Sequence, residues 1–574
     1  MTSDINYRIP VDSEDSQLSD SSDEEYLPCD TGAIESDYSD IESNDSDSSH
    51  PDDELSGRRN IWKSSLTNVP RVAPDWKGSL PFANKVKNPI YYFKFLLGNI
   101  LPTIVQQSNL YSIQKDISRP LNLLLDELEQ FIGILFYMSI INLPRARLYW
   151  TANTRIANVA NIMSVKRWEF IKSCFHINDN TKACPFGTDG YDALHKIRPM
   201  LTITTNILKD ITLGENLCVD EQVVPFKGQS KMKQYNPQKP KKWGFKFFLL
   251  CGNDGIVYNY EMYMGKILQA EGMPDIGACG NSVLRMVVAV PLNQNYKLYF
   301  DNWFSSINLL VILAQRGIQC VSTVRANRLK NCVLPTDQEI KKKGRGSFVE
   351  KKTVINGVEL SVIKWFDNRS VYLMSSFIGA HPISDVKRFD RKKKESINVK
   401  CPAIVKNYNK NMGGVDLIDS LLALYRIHIR SRKWYHRVAF HIFDMMLVNS
   451  WLLYRRDCNL LQIPRKEQES LLTFKISVAE VLCKGNKSIN SVTGNKRISV
   501  QSEYIKKCKK GTAQCLPNSE IRKDQFAHWP KYNDKKVRCK LPGCKGITKV
   551  ACDKCGVSLC FTPANNCFTI FHKN

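Results

Sequence analysis

The chain of 574 residues has no apolar run long enough to cross a bilayer. Its longest such run, Phe131 to Leu143, falls short of the ~20 residues a membrane helix needs. Val438 to Tyr454 is interrupted by His441, Asp444 and Asn449 and reads as a buried helix. The start lacks the basic residues and apolar core of a secretory signal. No internal repeat is present. These absences argue against a membrane partner and lead us to expect a soluble, intracellular protein. The first 55 residues also lack positive charge, with 18 acidic residues against one basic residue, Arg8. The remaining chain holds 80 basic and 38 acidic residues. So basic a body attracts a polyanion, and nucleic acid is the commonest one. Hydrophobic residues make up 43% of the chain, enough to bury several cores.

Cysteine is unevenly spread. Thirteen of the 19 are scattered singly from Cys29 to Cys515, as reduced core thiols are, and six crowd into 539–567. In a reducing compartment a cluster of this kind indicates metal rather than disulfides. The cluster runs Cys539, Cys544, Cys552, Cys555, Cys560, Cys567 and His572. Thiolates and imidazoles suit tetrahedral zinc, and a closed structural site takes four ligands. Seven candidates are too many for one ion and one short of two; His528 is the obvious eighth. Two zinc ions are therefore expected, with the pairing left open, and they should supply the folding free energy of so small a module.

Texture divides the chain into seven stretches. Residues 1–58 are Ser/Asp/Glu-rich and read as a disordered acidic tail, solubilising or regulatory through acidophilic phosphorylation. Residues 80–215 are helical; Leu125–Ile141 begins with acids and turns apolar, as a helix start favours. From 216 to 325, β-branched and aromatic runs predict strands at Asn216–Phe226, Gly244–Leu250, Ile256–Tyr263, Tyr296–Phe300 and Gln319–Val324. Helical patterns at Ser282–Val290 and Ser305–Gln315 lie among them, which suggests an α/β or α+β unit. Residues 326–400 read as a β-rich insertion with strands at Val358–Trp365 and Ser370–Ser376. Residues 401–483 return to helix at Val415–Tyr425 and Tyr435–Tyr454. A polar linker, 484–527, precedes the cysteine-rich module, 528–574.

Certain charged residues stand where apolar elements have no reason to carry them. Asp220 interrupts Leu-Cys-Val-Asp-Glu-Gln-Val-Val, and Asp301 ends Lys-Leu-Tyr-Phe-Asp-Asn-Trp-Phe. Asp416 and Asp419 are three apart and share one face of a helix opening. Carboxylates at strand ends and on a nearby helix can converge on Mg²⁺ or Mn²⁺ and act at phosphorus. A lone Asp at a strand end is more often a turn former or cap, so spacing permits such a core without establishing it. Downstream, 426–437 mixes five cations with Trp434 and Tyr435. Cations neutralise phosphates and an exposed ring can stack on a flipped base; an aromatic anchoring the next helix is the alternative. Trp303 reads as a packing residue. The basic run 387–394 is either a solvated face or a localisation or phosphate-contact segment.

The blocks Val219-Asp-Glu-Gln-Val-Val-Pro-Phe-Lys-Gly, Asp301-Asn-Trp-Phe-Ser-Ser and Tyr408-Asn-Lys-Asn-Met-Gly-Gly-Val-Asp-Leu-Ile-Asp resemble the three catalytic blocks of piggyBac-like transposases, in the same order. His195–Pro199, residues 241–244 and Trp434 match as well, and the resemblance extends from about residue 80 to the end. It implies an α/β, multidomain protein: an RNase H-like core with a β-rich insertion, helical dimerisation and DNA-binding parts, and a C-terminal RING/PHD-like zinc cross-brace. It implies that Asp220, Asp301 and Asp416 bind Mg²⁺ or Mn²⁺, with Asp419 as an additional acid. It supports Trp434 as the stacking ring, beside Arg430, Arg432, Lys433 and Arg437 as the candidate phosphate contacts read from the segment's charge. The implied activity is cleavage of double-stranded DNA at transposon terminal repeats, through hairpins, and strand transfer into TTAA targets by a nuclear homodimer. Two alternatives remain from the sequence: a domesticated DNA-binding protein, and a RING-type ubiquitin ligase module, which would not need the four acids.

Overall fold

In the computed structural model of the protein, residues 61–64, 69–237, 242–390, 394–484, 522–523 and 527–573 are described. The acidic tail and most of the 484–527 linker lie outside them. Helices α1 (Pro89–Leu97), α2 (Ile100–Lys115), α3 (Leu125–Ile140), α4 (Ala157–Ala160), α5 (Val165–Cys174) and α6 (Arg198–Leu208) make up the helical region. Asp126 and Glu127 occupy the first turn of α3, as expected from its dipole. Glu127 also takes both Nε and Nη2 of Arg167 at 2.6 Å, joining α3 to α5.

The large sheet contains β1 (Lys63–Ser64), β2 (Asn216–Pro225), β3 (Gln234–Tyr235), β4 (Trp243–Gly252), β5 (Val257–Met262), β6 (Tyr296–Phe300), β7 (Ile318–Thr323), β8 (Phe348–Ile355), β9 (Val358–Phe366) and β10 (Ser370–Ser375). At its centre the order is β5-β4-β2-β6-β7. The first three strands are antiparallel, and β6 and β7 run parallel to β2. Parallel neighbours need crossovers, supplied by α7 (Gly277–Met286) between β5 and β6 and by α8 (Ile307–Gln315) between β6 and β7. Every strand read from the sequence in 216–325 is present within two residues of its expected ends.

The stretch read as an insertion, 326–400, is β-rich, but most of it does not form a sheet of its own. After the short α9 (Asp337–Lys342), β8, β9 and β10 extend the central sheet through antiparallel pairing of β10 with β7. Only β11 (Ser384–Asp390) and β12 (Glu395–Cys401) form a separate hairpin. The start of the basic run 387–394 lies in β11, and residues 391–393 lie outside the described residues.

Four helices close this part of the chain: α10 (Ala403–Asn411), α11 (Gly414–Leu424), α12 (Trp434–Leu460) and α13 (Leu471–Lys484). The polar residues that interrupt α12 each find a partner inside the core. His441 bonds Gln222. Asn449 accepts from the Val257 N–H at 2.8 Å and donates to its carbonyl at 3.0 Å, mimicking a strand neighbour for β5. Asp444 takes Lys475 Nζ of α13 at 3.0 Å and the Ile427 N–H at 2.8 Å, and both ionic side chains are almost fully buried. Lys475→Met leaves that carboxylate buried without its cation and should cost about 3 kcal/mol in denaturant unfolding. Lys475→Met combined with Asp444→Leu should recover most of the loss; a double variant as unstable as the single would refute the pairing argument.

No described helix is long and apolar enough to cross a membrane. The C-terminal module has β13 (Pro530–Arg538) antiparallel to β14 (Ile547–Cys552), then α14 (Cys567–Lys573). Its small core of Val550, Val557, Leu559, Phe568 and Phe571 includes four of the cysteines.

Candidate functional sites: a carboxylate cluster and two Cys/His groups

Strand β2 pairs with β6 so that Val219 lies opposite Phe300. The next residues, Asp220 and Asp301, therefore stand at neighbouring positions on strands ~4.8 Å apart. Helix α11 brings the other two acids to β2 and β4. Its first residue, Gly414, sits so close that a Cβ there would lie 2.2 Å from the Gly252 carbonyl oxygen and 2.7 Å from Cys218 Sγ. At the other end of the contact, Asp419 Oδ1 accepts from Gln222 Nε2 at 2.6 Å. Cys218, Asp220 and Gln222 alternate along β2 and share one face, so both anchors of α11 bracket Asp220. Gly414→Ala must push the helix off the sheet. We expect a loss of about 1–3 kcal/mol from overpacking, measured by denaturant unfolding, with any DNA-processing activity falling further because Asp416 and Asp419 move together. Wild-type stability in this variant would contradict the close packing.

Asp301 is partly buried and its Oδ1 accepts the Trp303 N–H at 2.9 Å. Burial raises its pKa above the usual carboxylate value and the Glu221 charge adds to this, with the Trp303 N–H and Lys246 opposing. Half-buried Tyr408, from the third sequence block, is flanked by the charges of Asp301 and Asp220. The turn after Asp301 is braced by Arg328, whose Nη1 donates to the carbonyls of Asn302, Trp303 and Ser305 at 2.8, 3.0 and 2.9 Å. Asp416 is exposed on the first turn of α11. The four acids do not form a closed cage. Among the described residues, three or more potential ligands converge within 4.8 Å only in the C-terminal module. The donor set nevertheless suits a hard divalent cation, all oxygen, and a desolvated acid beside a second negative charge is stabilised by one.

The cationic segment divides in two. Arg430 and Arg432 are exposed. Lys433 instead donates to the Ser173 carbonyl at 2.8 Å, and burial lowers its pKa to about 8. Arg437 is mostly enclosed, with Nε on the Pro225 carbonyl at 2.9 Å and Nη1 on that of Ile427 at 3.0 Å. Trp434 is half-buried at the start of α12, 6.1 Å from the Phe245 ring, which is the anchoring arrangement. Trp303 stacks on Phe248 at 5.7 Å under Lys246, as a packing residue does.

In the C-terminal module the eight expected ligands separate into two groups, His528/Cys552/Cys555/His572 and Cys539/Cys544/Cys560/Cys567. Ligand pairs alternate along the chain, as in a cross-brace, with the last pair completed by His528 from upstream. The edges fit a tetrahedron about zinc, for which a 2.3 Å Zn–S bond gives an S···S edge of about 3.8 Å. Cys544 Sγ lies 3.5 Å from that of Cys567 and 4.0 Å from that of Cys560. His528 Nδ1 lies 3.3 and 3.4 Å from the sulfurs of Cys552 and Cys555, and His572 Nε2 3.6 Å from Cys555. His572 Nδ1 bonds the Phe568 carbonyl at 2.7 Å, so its N–H donates there and Nε2 faces the sulfurs. Gly546 donates to Cys544 Sγ, and a Cβ on it would meet Cys560 Sγ at 2.7 Å. Either group could hold a zinc ion.

Residues 88–451 match the family model described as Transposase IS4, well over half of the chain, which therefore belongs to that family. Within it the chain is piggyBac-like. PiggyBac transposable element-derived protein 3 of Homo sapiens is 33% identical over 368 residues, 63% of this chain and 60% of that protein. PiggyBac transposable element-derived protein 2 of Homo sapiens is 28% identical over 484 residues, 82% of this chain and 76% of that one. The chain thus spans about 60% of the length of the first relative. The fold is also that of the piggyBac transposase synaptic complex with hairpin DNA, solved by cryo-EM, at a TM-score of 0.58 and 21% identity over 85% of this chain and 99% of that one.

The sequence singles out the four acids and all eight Cys/His residues that gather into the two groups. It does not single out Gln222, His441 and Arg328 as parts of the carboxylate site. Each looks ordinary in sequence, although a Gln in an apolar strand and a His in an apolar helix both needed a partner.

Proposed function

We propose that this chain is a cut-and-paste DNA transposase of the piggyBac type, acting in the nucleus as a homodimer on paired transposon ends. Asp220 and Asp301 at neighbouring ends of parallel strands, with α11 pinned over the same face, carry this reading. The order β5-β4-β2-β6-β7, three strands antiparallel and two parallel, supports treating the centre of the sheet as an RNase H-like core. Asp220, Asp301 and Asp416 would hold Mg²⁺ or Mn²⁺, which when bound activates an attacking oxygen and stabilises a leaving one at phosphorus. The chain's own contribution is placement. Arg328 fixes the turn that aims Asp301, Gly414 seats α11, and Asp419 is held to β2. Arg430 and Arg432 can reach backbone phosphates, while Lys433, Arg437 and Trp434 shape the segment from within. Cleavage through a hairpin and joining of 3′ ends to TTAA are the steps this reading proposes, and the family relationship supports them. Two zinc ions complete the C-terminal module. Its strand β13 exposes Lys531, Lys535, Lys536 and Arg538, which suits recognition of transposon-end DNA.

The test is incubation of the full chain with labelled duplex carrying the ends of its own element. Divalent-ion-dependent strand cleavage, stopped by EDTA, is expected. Salt-sensitive binding without cleavage under any divalent ion would instead establish a domesticated DNA-binding protein.

A further inference from the structure

The acid that resembles the family's additional position, Asp419, does not stand alone. Gln222 Nε2 donates to its Oδ1 at 2.6 Å, and Gln222 Oε1 meets His441 Nε2 at 2.7 Å. The direction of this chain follows from what each atom can do. A carboxylate only accepts, so the Gln222 NH₂ must face Asp419; the amide oxygen only accepts, so His441 must carry its proton on Nε2. Gln222 and His441 are both buried, at 1% and 3% exposure. They come from β2 and α12. Burial, with Arg426 and Arg437 nearby, keeps the imidazole neutral, and its Nδ1 has no hydrogen-bond partner among the described residues.

We propose that Gln222, itself fixed by His441, is a positioning residue that holds Asp419 over the same face of β2 as Asp220 for divalent-cation binding. The inference rests on the reading of the acids as a metal site. A neutral donor suits that task better than a cation. Lys or Arg at 222 would fix Asp419 equally well but would cancel the charge that a metal ion needs. An amide orients the carboxylate and leaves its charge in place, as outer-shell hydrogen bonds do around metal ligands. A merely structural hydrogen bond would connect α11 to β2 without affecting cation affinity.

The experiment is calorimetric titration of the full-length protein with Mn²⁺, whose affinity is read without any DNA or turnover. The C-terminal module is loaded with zinc beforehand. Wild type, Gln222→Met, Asp419→Asn and the double variant form a cycle, with His441→Phe as a second route to the same loss. Each is first checked for unchanged thermal unfolding. Gln222→Met is expected to weaken Mn²⁺ about tenfold. Its effect should vanish in the Asp419→Asn background, because neighbours in one network are not additive. His441→Phe should weaken binding in the same direction, by less. If Gln222→Met is disfavoured for folding, His441→Phe carries the test. Wild-type affinity in both variants, or an undiminished Gln222→Met effect on top of Asp419→Asn, overturns the proposal alone. Absence of Mn²⁺ binding by wild type, or binding unchanged in Asp301→Asn, overturns the metal-site reading and the proposal with it.

Discussion

Chelation of zinc is expected to unfold residues 528–574 and to leave the sheet-bearing body folded. The module's apolar core is small, and four of its members are themselves cysteines. Without metal, the two ligand groups place thiolates and imidazoles within 4.8 Å of one another, and nothing offsets the cost of ordering them. Structural zinc sites contribute on the order of 10 kcal/mol or more of apparent binding energy at neutral pH, more than so small a core can replace. The body keeps its own, much larger cluster. The measurement is proton NMR or limited proteolysis before and after chelation, together with metal analysis. Two zinc ions per chain and selective loss of the module are expected. Cys552→Ser should remove one ion and Cys560→Ser the other, since they belong to different groups. Loss of both ions with equal affinity in either variant would contradict the alternating pairing.

Asp301→Asn is expected to reduce DNA-end cleavage by on the order of 10³–10⁴-fold while leaving the fold intact. The amide retains the oxygen that accepts the Trp303 N–H, so the turn braced by Arg328 need not move. It removes one negative charge from a desolvated position already facing Glu221, which favours the folded state if anything. The lost charge is what a divalent ion requires, and the ion's share of such a barrier is several kcal/mol, at about 1.4 kcal/mol per tenfold. DNA affinity should be unchanged or higher, because a negative charge has gone from a surface that meets phosphate. A single-turnover cleavage assay beside a binding titration separates the two effects. Equal loss of binding and cleavage would point to misfolding or to a role in DNA contact.

Much of the fold was legible because burial patterns are strong where they matter. Strands β4 and β6 are largely apolar and β2 carries apolar runs on either side of Asp220–Gln222, as strands covered on both faces should. An acid inside or ending such a run announces itself: Asp220 and Asp301 were found that way. What could not be read was register and direction. No local pattern tells that β10 pairs with β7, so the β-rich character of 326–400 was legible and its extension of the central sheet was not. Strand β11 was hidden in a basic run because neither of its faces is apolar. Which of the cations near Trp434 turn inward depends on the carbonyls of Ser173 and Pro225, far away in sequence, and of Ile427. The eight candidate metal ligands followed from counting, and their division into two groups needed the fold. Gln222 and His441 lie 219 residues apart, and only packing of α12 on β2 makes them one unit.

The central claim is most directly tested by excision in cells. A reporter flanked by the DNA on either side of this gene is co-expressed with wild type or Asp301→Ala, beside a related transposase acting on its own ends. Precise loss of the insert, restoring a single TTAA with wild type and not with Asp301→Ala, is the expected result. Retention of the insert with both proteins, while the related transposase excises its own, would contradict an active transposase and leave DNA binding as the function.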